Sequence, residues 1–209
     1  MKYLHLCCIY SFLVLAVFVI KPIFAYDLRD LNVGDNIKNV PDTRYTKFAC
    51  LDKENIKSWT EFKNCKKNSN NYYVISFEYD ERYALNENFE GTQVSGHPVL
   101  INVAIDDDGI LQEININTDP KAPFYFRKQA YLMWLRIYYK YGGSDWDCNT
   151  LEQKKEHIKI GKKYINKICT KTVDYKKLKL HYQFYFNGDK SKKENLVSKT
   201  FLQIKYNNL

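Results

Sequence analysis

The chain has 209 residues and a formal net charge of +8, with 45% hydrophobic and 27% charged residues. This length accommodates one ordinary domain or two small ones, and the composition is typical of a globular protein, which excludes collagen-like, coiled-coil and low-complexity classes. The sequence contains no nucleophile motif, no complete metal-binding motif and no phosphate-binding loop, so it indicates no catalytic residue, no metal ligand and no cofactor.

The first 25 residues have the pattern of a secretory signal peptide. Lys2 precedes an almost entirely apolar run at positions 4–20, and the small residue Ala25 suits cleavage before Tyr26. The alternative is a retained anchor, because 17 apolar residues lie at the lower limit of the roughly 17 to 25 that span a bilayer. We expect cleavage, no transmembrane segment in the mature chain, and a single domain over residues 26–209, since no linker or repeat divides it.

Four cysteines remain after the signal peptide: Cys50, Cys65, Cys148 and Cys169. An even number of cysteines in an exported chain is typical of a disulfide framework. Of the three possible pairings, the sequence favours Cys50 with Cys65 and Cys148 with Cys169, because each pair brackets one short polar segment. A zinc site is the alternative, but it lacks a C-x-x-C spacing and a histidine at ligand spacing.

The segment between the first two cysteines predicts a short amphipathic helix over residues 53–63. Asp52 supplies a side chain that can cap its N-terminus. Ile56, Trp59 and Phe62 follow at intervals of three and would share one face. We expect the disulfide of Cys50 and Cys65 to staple the two ends of this helix.

Alternating apolar residues then predict three strands, over residues 73–79, 99–105 and 111–118. The last two flank Asp106–Asp107–Asp108–Gly109, where the glycine allows the positive φ of a tight turn. This is the clearest hairpin in the chain. The three aspartates also suggest calcium, but they lack the alternate spacing of an EF-hand loop, which favours a polar turn.

Residues 124–140 contain no glycine or proline and are almost entirely aromatic or aliphatic, which predicts one long apolar helix that ends before Gly142. Residues 150–172 fit either a helix or strands. Alternation returns in strands over residues 178–186 and 200–206. The predicted fold class is therefore α+β: a mainly antiparallel sheet, one long apolar helix packed on it, and the short disulfide-stapled helix near the N-terminus.

Charge is distributed unevenly along the chain. Residues 150–209 contain 15 lysines and 5 acidic residues. Lys176, Lys177 and Lys179 form a possible ligand surface for an anionic envelope component or a protein partner. The segment contains no arginine, the side chain best suited to bidentate phosphate contacts, so nucleic acid is not an expected partner. The alternative is that these lysines only keep a tyrosine-rich protein in solution.

His97, between Gly96 and Pro98, is the one histidine with a distinctive local setting. In an envelope hydrolase or transferase it would act as a base and would have to meet an acid such as Glu78 or Asp119. No serine or cysteine nucleophile in a known local signature accompanies it. The sequence therefore favours a turn residue that leads into the following strand.

Several strings between positions 31 and 136 resemble a group of uncharacterised secreted proteins of alphaproteobacteria. They are VGDNIKNVP, KFAC, SWTEFKNC, and VSGHPVLINVAIDDDGILQEININTDP followed by FRKQAYLMWLR. The resemblance implies a bacterial envelope location and a paired-cysteine framework, and it implies no activity or site residues. Together these features predict a periplasmic or secreted, non-enzymatic binding or interaction module of the cell envelope.

Overall fold

The computed structural model describes residues 27–80 and 92–207, so the predicted signal peptide lies outside the described residues. Strands dominate these ranges, and none of the described helices is long and apolar enough to cross a bilayer. The strands are β1 Tyr45–Cys50, β2 Tyr73–Tyr79, β3 Gln93–Val94, β4 His97–Ile105, β5 Leu111–Thr118, β6 Asp147–Thr150, β7 His157–Ile158, β8 Ile165–Val173, β9 Lys176–Asn187 and β10 Leu196–Tyr206. The α-helices are α1 Phe124–Lys128 and α2 Ala130–Lys140, and the 3-10 helices are Ile37–Asn39, Asp42–Arg44, Trp59–Asn64 and Lys193–Asn195.

The strands form one antiparallel sheet with the order β1-β2-β4-β5-β10-β9-β8-β6, to which β3 adds beside β4 and β7 beside β9. The first half of the chain builds one end of the sheet and the second half builds the other. The last strand closes the structure, because β10 pairs with β5 and places Leu202 opposite Ile116. The segment 150–172, which fitted either a helix or strands, forms β7 and most of β8.

The predicted hairpin is confirmed as β4 and β5, with Gly109 at φ 84° in the turn. The Asp106 carboxylate accepts the backbone amides of Asp108 and Ile110, each at 2.9 Å. Asp107 points to a different partner, because Lys67 Nζ lies 2.7 Å from its Oδ2. The aspartates thus stabilise a turn and do not converge on one point.

The two faces of the sheet differ in character because side chains alternate along each strand. One face carries a buried row that crosses four neighbouring strands: Ile101, Ile116, Leu202 and Leu180. The next row, on the opposite face, is polar. There Asn115 Nδ2 donates to Asn102 Oδ1 at 3.2 Å, and Gln203 Nε2 donates to Asn115 Oδ1 at 3.0 Å. We call this polar side of the sheet the open face.

The long apolar helix predicted over residues 124–140 is wrong, and so is the α+β class that depends on it. The segment is two helices, and only α2, with 11 residues, exceeds two turns. They separate at Gln129, whose backbone amide donates to the Phe126 carbonyl three residues earlier. His97 Nε2 also lies 2.7 Å from that carbonyl. This contact from β4 and the short-range 3-10 bond end the first helix.

The helix α2 contributes fewer side chains to the core than its apolar composition predicted. Only Ala130, Met133 and Ile137 are buried, where α2 packs on β9 and β10. Thr200 in β10 donates from Oγ1 to the Ala130 carbonyl at 2.7 Å and ties the helix to the sheet. The remaining aromatic and aliphatic side chains of α2 are partly or largely exposed, so the protein is a mainly antiparallel β structure with a short helix on one face.

The predicted N-terminal helix is also shorter than expected and of a different type. The structure has a 3-10 helix at Trp59–Asn64, whereas residues 53–58 are not helical. Ile56, Trp59 and Phe62 are buried, as the pattern indicated. Trp59 and Phe62 share one face because their spacing of three residues is the period of a 3-10 helix, whereas Ile56 precedes the helix.

Both predicted disulfides are confirmed. Cys50 and Cys65 are bonded, with their Cα atoms 5.3 Å apart, across the loop that contains the 3-10 helix. Cys148 in β6 lies directly opposite Cys169 in β8 and is bonded to it. Each bond therefore links an edge strand to a neighbouring element, and the second attaches β6 to the sheet.

Candidate ligand-binding cleft

The three lysines predicted as a ligand surface do not lie on one surface. Lys177 and Lys179 are exposed on the open face, as the alternation of β9 requires. Lys176 points to the other side, where its Nζ lies 2.7 Å from Asp27 Oδ1. The Lys176 side chain is 13% exposed and the Asp27 side chain 1% exposed. Lys176 therefore belongs to a buried ion pair and is not available to a ligand.

Acidic and amide groups accompany the lysines of the open face. Lys177 lies opposite Lys205 of β10. Lys205 Nζ pairs with Glu113 Oε1 at 2.7 Å, and Glu113 Oε2 accepts Gln203 Nε2 at 3.0 Å. The positive charge of the C-terminal third is thus partly neutralised on this face, which weakens it as an anion site.

A cleft of about 630 Å³ lies on the opposite side of the sheet, between α2 and strands β8 and β9. This volume falls within the range of roughly 300 to 1,000 Å³ that is typical of small-molecule sites. Its eleven lining residues are mostly aromatic, aliphatic or cationic: Lys128, Tyr131, Trp134, Leu135, Thr150, Lys163, Tyr164, Ile165, Lys167, Tyr182 and Phe184.

Aromatic rings from two elements meet in this cleft. Trp134 of α2 stacks on Tyr138 with 4.9 Å between the ring centroids, and its ring lies 6.2 Å from that of Tyr182 in β9. Phe184 follows two positions along the same strand, on the same face. Burial raises the pKa of Tyr182 far above its ordinary value, so its phenol stays neutral and adds no negative charge to the cleft.

Three lysines supply the charge of the cleft. Lys167 projects from β8 and places Nζ 5.7 Å from the centroid of the Trp134 ring. Lys128 and Lys163 are exposed. No acidic residue is among the described residues that line the cleft, and none of the three lysines forms an ion pair within the described part of the chain. Ammonium groups beside a partly apolar pocket are suited to an anion, because charges attract one another more strongly there than in water.

His97 does not meet the acids that catalysis would require. Its ring is buried, with Nε2 2.7 Å from the Phe126 carbonyl and Nδ1 3.1 Å from the Pro98 carbonyl. Glu78 instead pairs with Lys47 at 2.8 Å, and Asp119 accepts the backbone amide of Lys121 at 2.8 Å. The observed contacts of His97 are those of a residue that connects β4 to α1.

A larger hollow, of about 1,000 Å³, lies elsewhere, beside the first strands of the sheet. Glu78 and Asp119 both line it, together with Thr92 and Gln93, but the His97 ring bonds to backbone carbonyls and to neither acid. No ligand site is assigned to it. Over residues 27–80 and 92–207, histidine, cysteine and acidic side chains form no group of three that could hold a metal ion.

The sequence did not predict the cleft, because the residues that line it follow the patterns typical of buried core residues. Tyr131, Trp134 and Leu135 have helical spacing, and Tyr182 and Phe184 alternate as in a strand. Neither pattern distinguishes a side chain that closes the core from one that lines its edge. The interruption of the apolar pattern by Lys128 and Lys167 was the only available signal.

Comparisons with known protein families, with curated proteins and with solved structures find no match to this chain. The cleft must therefore be interpreted from its own chemistry.

Proposed function

We propose that this protein is an exported, non-enzymatic binding protein of the bacterial cell envelope that holds an anionic ligand in the cleft between α2 and strands β8 and β9. One observation carries the proposal: Lys128, Lys163 and Lys167 line an aromatic cleft that has no acidic residue among its described lining. A periplasmic or secreted location and the kinship with secreted alphaproteobacterial proteins are parts of the same proposal.

Two features support export. The pattern of residues 1–25 is that of a cleavable leader. The two disulfides, Cys50–Cys65 and Cys148–Cys169, suit an oxidising compartment, because disulfides are rare in the bacterial cytoplasm.

The lysines of the C-terminal third occur without arginine, which favours an envelope polyanion or a protein partner over nucleic acid.

The competing function is an envelope hydrolase or transferase. It requires a base and an acid within hydrogen-bond reach of one substrate. The contacts of His97, Glu78 and Asp119 tie each of them to a different structural role. The cleft offers ammonium groups and aromatic rings, which bind and orient a ligand, so binding without turnover is the function that these contacts favour.

A comparison of two double variants tests the proposal. The mature, disulfide-bonded protein is titrated with inorganic polyphosphate and with oligogalacturonate by calorimetry, at about 0.1 M and about 1 M salt, where the screening length falls from roughly 10 Å to 3 Å. We expect binding of at least one polyanion that weakens steeply with salt. Lys163→Gln with Lys167→Gln should weaken it about tenfold or more.

Lys177→Gln with Lys179→Gln is the matched control, because it removes the same charge from the open face. We expect this variant to bind almost as well as the wild type. Equal losses in the two variants would mean that binding follows net charge and not the cleft. A complete absence of salt-dependent binding to any anionic envelope material would overturn the proposed function.

A further inference from the structure

A ridge of exposed side chains runs along α2 beside the mouth of the cleft. Tyr131, Leu135 and Tyr139 are 45%, 38% and 65% exposed. Their spacing of four residues places them on one face of the helix, along a line about 12 Å long at a rise of ~1.5 Å per residue. We call these three residues the α2 ridge. Large apolar and aromatic side chains exposed side by side indicate an interaction surface.

The α2 ridge and the cleft lysines face the same side of the molecule. Tyr131 and Leu135 line the cleft together with Lys128, Lys163 and Lys167. Tyrosine combines an apolar ring with a polar hydroxyl, and lysine combines an apolar stem with a charged end. Side chains of this kind are enriched where a protein meets the interface between water and a lipid bilayer.

We propose that the α2 ridge docks on the surface of an anionic phospholipid bilayer, with lipid headgroups bound at the cleft lysines. This inference rests on the proposed function, because it takes the ligand to be an anionic envelope component and then names it as a lipid. The association is peripheral: Leu135 and the tyrosine rings enter the interfacial region, and each lysine gains from the negative surface potential.

Leu135 favours a lipid over a polysaccharide as the occupant. A polyhydroxylated chain uses aromatic rings and hydrogen-bonding groups, and it has little to gain from an exposed leucine. A bilayer interface gains from each apolar group that leaves water. Tyr139, which lies one turn beyond the cleft lining, extends the apolar contact in the same direction and would lie outside a small soluble ligand.

Matched leucine variants test the bilayer contact. The full mature protein is sedimented with vesicles of phosphatidylcholine alone and of phosphatidylcholine mixed with phosphatidylglycerol. We expect binding to the anionic vesicles only, and about threefold weaker binding for Leu135→Ser, since the substitution removes a partly exposed apolar side chain. Leu100→Ser is the control: Leu100 is 54% exposed in β4, on the open face, and its loss should leave binding unchanged.

Charge variants complete the test. Each lysine at an anionic surface strengthens binding about fivefold, so Lys163→Gln with Lys167→Gln should weaken vesicle binding about tenfold or more. Lys177→Gln with Lys179→Gln should change it little. Thermal unfolding of each variant, followed by circular dichroism, verifies that the protein is folded.

The outcomes separate this inference from the proposed function. Equal vesicle binding by Leu135→Ser and the wild type would overturn the bilayer contact. Salt-dependent binding of soluble polyphosphate or oligogalacturonate in the cleft, without vesicle binding, would also overturn it and would leave the proposed function intact. Failure to bind vesicles and soluble polyanions alike would overturn both.

Discussion

The carboxylate of Asp27 lies 2.7 Å from the ammonium group of Lys176, and the two residues are 149 positions apart in the chain. The Asp27 side chain also accepts the backbone amide of Val33 at 3.2 Å, and Lys140 Nζ donates to the Asp27 backbone carbonyl at 2.8 Å. The first described residue is thus tied to the start of β9 and to the end of α2. This pair therefore anchors the first described residue to the C-terminal half of the sheet.

Loss of one partner of this pair should destabilise the protein strongly. Lys176→Gln removes the ammonium group bonded to the buried Asp27 carboxylate, although the charge of Lys140 still acts on that carboxylate. Breaking a buried pair costs about 3 to 5 kcal/mol. We expect the free energy of unfolding to fall by about 3 kcal/mol in urea titrations at neutral pH. Lys177→Gln, one position along and exposed, should change it by less than about 0.5 kcal/mol. Similar stabilities for the two variants would show that the pair contributes little.

Gly34 should be intolerant of a side chain. Its φ is +92°, and a Cβ atom there would lie 2.8 Å from Cε2 of Tyr206. Gly161 is a useful control, because its φ is +60° and a Cβ atom there meets nothing within 4 Å. We expect Gly161→Ala to cost about 1 kcal/mol for the left-handed backbone and Gly34→Ala to cost at least about 2 kcal/mol. Thermal unfolding compares the two, and equal costs would contradict the contact with Tyr206.

Removal of either disulfide should cost a similar amount of stability. The bonds close loops with sequence separations of 15 and 21 residues, for which chain entropy predicts about 3 kcal/mol each. We expect that loss in Cys50→Ser with Cys65→Ser and in Cys148→Ser with Cys169→Ser. Peptide mapping without reduction should recover the two native pairs, and a peptide that joins Cys50 to Cys148 would refute the pairing.

His181 should make the protein less stable in mild acid. Burial, together with the positive charge of Lys179, holds the pKa of His181 below its ordinary value. Between that lowered pKa and the usual value near 6.5, the unfolded chain binds more protons than the folded one, so stability falls as the pH falls through this window. His181→Gln should lose less stability than the wild type between about pH 7.5 and about pH 5.5, as measured by urea titration. Parallel losses would show that other groups dominate.

The mature chain should begin at or near Tyr26. Signal peptidase cleaves after a small residue, which Ala25 provides. N-terminal sequencing of exported protein tests this directly. Recovery of chains that retain Met1 or Lys2 would indicate an uncleaved anchor in place of a signal peptide.

Local patterns in the sequence were sufficient for features that depend on near neighbours. The alternation over residues 73–79 and 99–105 predicted two strands, and Gly109 after three aspartates predicted the turn between β4 and β5. The pairing of Cys50 with Cys65 followed from the short polar segment that they bracket. Period and turn chemistry are properties of a few consecutive residues, so they can be recognised without a structure.

Contacts between segments that are distant in the chain could be seen only in the tertiary structure. Helical periodicity over residues 124–140 gave no sign that His97, from a distant strand, would meet the Phe126 carbonyl and accompany a break at Gln129. The alternation in β9 put Lys177 and Lys179 on the outward face, but it gave no sign that Asp27 would meet Lys176 on the other face and form a buried ion pair with it. The cleft likewise arises beside α2, where the helix packs on β9 and Lys167 of β8 lies beside Trp134. Contacts between distant segments depend on strand order and register, which short-range periodicity does not encode.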